Sequence, residues 1–156
     1  MRPECKTIPM FEGLTMTSAG TVFGVVDTKG FDFCIIDVCA GTGEAASTAI
    51  TELNMSESDT LLTAVSDGTA VTAFVGAAAI STSAGFVLPA LSSTTQNSFQ
   101  MNVDLRGRKR YLAIKFAPTK QTVGVRSAAH LFNANDAADI CTVATGTAGL
   151  RLIARG

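Results

Sequence analysis

The sequence predicts an all-β domain, an antiparallel β-sandwich or barrel of about eight short strands. Three observations carry that prediction. Apolar and polar residues alternate with a period of two along Phe99–Leu105 and again along Tyr111–Phe116, as in strands with one buried face. Turn-forming clusters such as DTKG, SESD and APTK recur at intervals of about ten residues. The apolar runs between them are short and rich in Val, Ile, Phe and Thr, which fit a pleated surface better than a helix.

Taken in order, Met1–Ala19 has no clean period and carries Pro3 and Pro9, so it reads as an extended N-terminal arm preceding a single domain at 20–156. Val22–Val26 and Phe31–Ile36 flank Asp27–Gly30 and read as a hairpin, with both faces apolar near Ile35. In the next stretch Ala45, Ala49 and Leu53 share one helical face, but the load of Thr and Ser favours a loop followed by a strand through Ile50–Leu53. Ser56–Asp59 reads as a polar turn. Val71–Val75 and Gly85–Leu88 are short strands, the second ended by Pro89. After the polar loop Leu91–Ser98, two amphipathic strands run from Phe99 to Leu105 and from Tyr111 to Phe116. They read as one long antiparallel hairpin with Gly107 in its turn. A further strand holds Val123 and Val125 in phase, Asn133–Asp139 is a polar excursion, and Gly149–Gly156 reads as a last strand with Leu150, Leu152 and Ile153.

Composition narrows the function classes. The 156 residues are 47% hydrophobic and only 16% charged, yet no run approaches the roughly 18 apolar residues of a membrane helix. An apolar chain of this kind is expected to hide surface against other subunits. The formal net charge of -1 lacks the basic excess of nucleic-acid modules. The first ten residues contain no apolar signal core. Cys5, Cys34, Cys39 and Cys141 form no C-x-x-C pair and no zinc-type spacing, so free thiols and no metal are expected.

Catalytic chemistry is hard to find. His130 is the one histidine, and no neighbouring pattern supplies it with a nucleophile or an orienting acid. Gly41–Glu44 (GTGE) lacks the Lys-Ser/Thr ending of a phosphate loop, and Gly146–Gly149 fares no better. Asp27, Asp32, Asp37 and Asp59 are scattered over turns and strands and read as solvated carboxylates. Neither an enzyme nor a cofactor is expected.

The exception to this blandness is RGRKR, which places Arg106, Arg108, Lys109 and Arg110 in five positions. Three readings stand. The cluster is a solvated tip that protects a sheet edge, or a phosphate contact, or a docking point for an acidic protein surface or a carboxylate of a neighbouring copy. The last is favoured, because the stretch VDLRGRKRYL (Val103–Leu112), with weaker support from ELNMSESDT (Glu52–Thr60), resembles capsid decoration or cement proteins of tailed bacteriophages. The resemblance spans roughly Gly20–Leu131 and does not extend to the arm or to the chain after Phe132. It implies a β-rich virion protein, made in the bacterial host cytoplasm, that sits on the exterior of an icosahedral head. There it would bridge major capsid protein subunits after expansion, commonly as a homo-oligomer, with a trimer favoured. No membrane and no nucleic acid would be involved. The alternatives are another virion part, such as a head–tail connector or tail protein, and a small β-barrel nucleic-acid module using the 106–110 cluster.

Overall fold

The structure, a computed structural model, describes residues 5–16, 20–41, 50–77, 82–89, 91–92, 94–118 and 123–134. The expected polar excursion beyond Ala134, the expected last strand and Cys141 lie outside the described residues. Among the described residues nine strands are present: β1 Cys5–Met16, β2 Val22–Asp27, β3 Phe31–Ala40, β4 Ile50–Ser58, β5 Thr69–Ala77, β6 Phe86–Val87, β7 Asn97–Asp104, β8 Tyr111–Pro118 and β9 Val123–Ala134. They form two sheets, one of four strands in the order β1-β9-β3-β7 and one of five in the order β2-β8-β4-β5-β6. The all-β sandwich is therefore what the alternation predicts.

The strand order says more. Of the eight connections, only β4 to β5 and β5 to β6 stay within one sheet; every other connection crosses to the opposite sheet. With the two-residue β6 set aside, the order is that of an eight-stranded jelly roll, the doubled Greek key that closes two four-stranded sheets on each other. Both hairpins expected from the sequence are corrected by this finding. β2 pairs with β8, and β3 pairs with β7 and β9. β7 and β8 likewise belong to different sheets, so RGRKR is not a hairpin tip but a corner between layers.

Two further readings change. Cys5–Met16 is not a free arm but an edge strand, antiparallel to β9, with register shifts around Phe11. Pro9 is tolerated there because an edge strand has one side that needs no ladder donor. Ser56–Ser58 belong to β4, paired with Ala113, Leu112 and Tyr111, so the turn begins only at Asp59.

The core fills the space between the sheets. β8 contributes Leu112, Ile114 and Phe116, all fully buried, and β7 contributes Met101 and Val103. From β3 it is Cys34, Ile36 and Val38 that point inward, while Phe33, Ile35 and Asp37 lie half-buried on the outer face. Burial pushes the Cys34 thiol up to about 12, so it stays protonated and acts as a small apolar side chain. One lateral edge of the sandwich closes where β1 crosses β2 at Gly24. A Cβ built there would stand 2.8 Å from Met10 Cβ and 2.9 Å from the Met10 carbonyl oxygen. A backbone atom cannot yield as a side chain does, so Gly24→Ala is expected to cost about 1–3 kcal/mol, as overpacking does. A urea midpoint equal to that of the parent protein would show that β1 is free to shift.

Candidate functional site: the paired corners

The basic cluster occupies a corner that is built twice. In the first corner, Phe31 N–H donates to the Thr28 carbonyl across 3.2 Å, with Gly30 at φ +87° in the third position of the turn. In the second, Arg108 N–H donates to the Leu105 carbonyl at 3.0 Å, with Gly107 at φ +79° in the third position. Both have the form of a type II turn, which needs a left-handed third residue and takes glycine there. Each is preceded by an aspartate that caps it: Asp27 Oδ1 accepts from Lys29 N–H at 3.1 Å, and Asp104 Oδ1 accepts from Arg106 N–H at 3.1 Å.

The corners lie against each other. Thr28 donates both its N–H (2.9 Å) and its hydroxyl (2.7 Å) to the carbonyl of Arg110. Leu105 N–H donates to the carbonyl of Asp32 at 2.9 Å. The Arg110 guanidinium then clamps Asp27 with two prongs, Nε to Oδ1 at 3.0 Å and Nη2 to Oδ2 at 2.6 Å, and packs 4.8 Å from the centre of the Tyr111 ring. This fork geometry is what distinguishes Arg from Lys.

The other three cations also have partners on the same chain. Arg106 makes a second fork, onto Asp104, with Nη2 to Oδ2 at 2.6 Å. Arg108 Nη1 lies 3.6 Å from Glu57 Oε2, a carboxylate only 14% exposed near the end of the sandwich. Lys109 Nζ donates to Thr69 Oγ1 at 3.2 Å, at the start of β5. RGRKR is thus dense in charge along the chain but largely neutralised in space. Arg106, at 76% exposed, is the most open of the three arginines.

These contacts set the local acid–base chemistry. The Arg106 side chain, helped by the Arg106 N–H, holds the Asp104 carboxyl down at about 2, against an ordinary 3.8. At Asp27 partial burial acts to raise the pKa, but the Arg110 fork and the Lys29 N–H outweigh it and the carboxyl is lowered.

The structure also supplies His130 with the neighbours that the sequence did not reveal. His130 Nδ1 lies 3.0 Å from Thr7 Oγ1 on β1, and Nε2 lies 3.3 Å from Asp37 Oδ2 on β3. Gln100 Nε2 on β7 donates to Asp37 Oδ1 at 3.0 Å. The result is a polar chain across all four strands of one outer face. These contacts tie each strand of that sheet to its neighbour by side chains. Asp32 joins the corners through its carbonyl, and its charge helps to raise the Arg106 pKa behind the larger effect of Asp104; Asp59 joins neither group. Among the described residues no cluster of metal-ligating side chains is present.

No family model matches this chain, and no curated protein matches it. Among solved structures, a chain in the structure of infectious bursal disease virus Gx strain superposes with a TM-score of 0.54 at 11% identity, over 88% of this chain. This chain spans 33% of the length of that one. A second likeness is to the enzymatically active domain of bacteriophage CBA120 tailspike protein 4, with a TM-score of 0.43, 12% identity, and coverage of 82% of this chain and 19% of that one. At such identities the first likeness shows the fold alone, and the second carries no argument.

Two outcomes follow from the corner. Arg110→Glu is expected to lower the melting temperature by a few degrees, with partial recovery in the Asp27→Arg/Arg110→Glu swap. A melt unchanged by Arg110→Glu would make the fork incidental. Because the folded-state pKa of Asp104 is depressed, its contribution is present above the ordinary value of 3.8 and is lost as pH falls toward about 2. The melting-temperature gap between the parent and Asp104→Asn should therefore narrow across that interval. A gap independent of pH would remove Asp104 from the acid response.

Proposed function

We propose that this chain is a structural virion protein that binds the outside of a tailed-phage head and bridges major capsid subunits, with a trimer as the favoured assembly. The observation that carries the reading is the jelly-roll strand order, a fold that recurs in viral capsid domains. It is joined to the sequence likeness at Val103–Leu112. A fold alone does not fix a function. Here the fold and the motif point the same way, since the motif is the corner that locks the two sheets.

The mechanism needs no chemical step. A protein that binds only the expanded shell stabilises that state by its binding free energy, and the contact repeats at every equivalent position. The paired corners revise which basic residues are available for docking. Arg106 and Arg110 are each forked onto an aspartate and Arg108 lies 3.6 Å from Glu57, so a capsid carboxylate would compete with contacts already made at the arginines and least at Lys109, which meets only a hydroxyl. The nucleic-acid alternative gains nothing from the geometry, because three of the four cations already face carboxylates.

The deciding measurement is copy number in purified particles, by quantitative mass spectrometry against the major capsid protein. A ratio near one-to-one, or a simple fraction of it, is the expected result. A handful of copies would move the chain to the portal or tail, and absence from particles would end the virion reading.

A further inference from the structure

The outer face of the five-stranded sheet carries a groove that the paired corners do not use. Its volume is about 320 Å³. Its floor is one row across three strands: Phe23 on β2 stands opposite Lys115 on β8, and Lys115 stands opposite Asn54 on β4. Thr63, in the loop that leads into the single-turn helix Val65–Asp67, and Ser66, within that helix, form one wall, and Thr21 also lines the groove.

The chemistry of this row is selective. The Lys115 ammonium is paired with the Glu52 carboxylate, so the floor has no net charge to attract an anion. Asn54 Oδ1 accepts from Gly76 N–H at 3.1 Å. A backbone N–H can only donate, so this contact fixes the amide oxygen and leaves the NH₂ hydrogens for another partner. Thr63 spends its hydroxyl proton on Asp67 Oδ2 at 2.7 Å and keeps its lone pairs as acceptors. The Ser66 and Thr21 hydroxyls can do either. Phe23 adds a flat apolar surface beside these groups.

A hydrocarbon chain in this groove would strip water from the amide and the ion pair without replacing it. An anion would meet Glu52. A sugar ring has one face of C–H groups and a rim of hydroxyls that both donate and accept. We propose that the groove binds a neutral saccharide unit, with Phe23 under the ring and Asn54 and the threonine and serine hydroxyls at its edge. Mostly apolar walls with a few placed polar groups are the usual make-up of small-ligand sites. The inference is independent of the shell-binding reading, since it is tested on the free protein.

The test is an NMR titration of the full chain with glucose, galactose, mannose and N-acetylglucosamine, each to tens of millimolar, with sodium phosphate as the anionic control. The expected result is saturable shifts at Phe23, Asn54, Lys115 and residues 63–66 with at least one sugar and none with phosphate. Phe23→Ala should weaken that binding roughly tenfold. Ser66→Trp, at an exposed wall position, should abolish it, and this variant keeps the test valid if Phe23→Ala fails to fold. The proposal is overturned if no sugar moves these residues, if phosphate moves them more strongly, or if Ser66→Trp binds as the parent does.

Discussion

The crossing of the chain between two sheets, again and again, is the constraint on which the rest of this structure depends. Each crossing ends two strands and leaves backbone groups that must find partners away from any ladder. The corners at Asp27–Gly30 and Asp104–Arg110 solve this jointly. Thr28 caps the carbonyl of Arg110, Leu105 caps the carbonyl of Asp32, and each aspartate caps its own turn. The Arg110 fork then ties the first corner to the second, so the order of the layers at that end is fixed by side chains 83 positions apart in sequence. Surface ion pairs taken singly contribute little. Here the fork adds direction to a junction whose backbone bonds already hold it.

The same junction explains a composition that is bland apart from one basic knot. A run of positive charge suggests a surface that attracts something negative. In this fold the negative partners are internal: Asp104 two residues before Arg106, Asp27 across the junction, and Glu57 at the end of β4. The knot is first a device of the fold, and any partner proposed for it must compete with contacts already made. Lys109 is where that competition is easiest, since it is tied only to a neutral hydroxyl.

Local alternation made the strands and their buried faces legible. Leu112, Ile114 and Phe116 are in the core, as their phase requires, and so are Met101, Val103, Val123 and Val125. Alternation reports which face of a strand is buried but not which strand lies beside it. The short turns after β2 and β7 therefore read as hairpins although each leads into the other sheet. Pro9 and the absence of a period disguised β1, whose bulged pairing with β9 lets an irregular sequence serve as an edge. The surroundings of His130 were illegible for a different reason. Thr7 and Asp37 are distant in sequence and meet it only because β1 and β3 flank β9. The groove row Phe23–Lys115–Asn54 was hidden in the same way, since its register exists only across three strands.

The two outer faces of the sandwich keep their shape differently. The four-stranded face is stitched by polar contacts from Thr7 through His130 and Asp37 to Gln100, so that each strand is tied to its neighbour by side chains as well as by ladder bonds. The five-stranded face is covered in part by the loop that carries Leu62, which is buried, and the helical turn Val65–Asp67. That turn is held by Asp67, whose carboxylate accepts from Thr63 Oγ1 and from the Ala64 N–H. A face stitched in this way has little conformational entropy left to lose on binding. A face with a walled groove suits a small ligand. The two proposals therefore rest on separate places, docking on the corner residues and saccharide recognition on the groove of the five-stranded face.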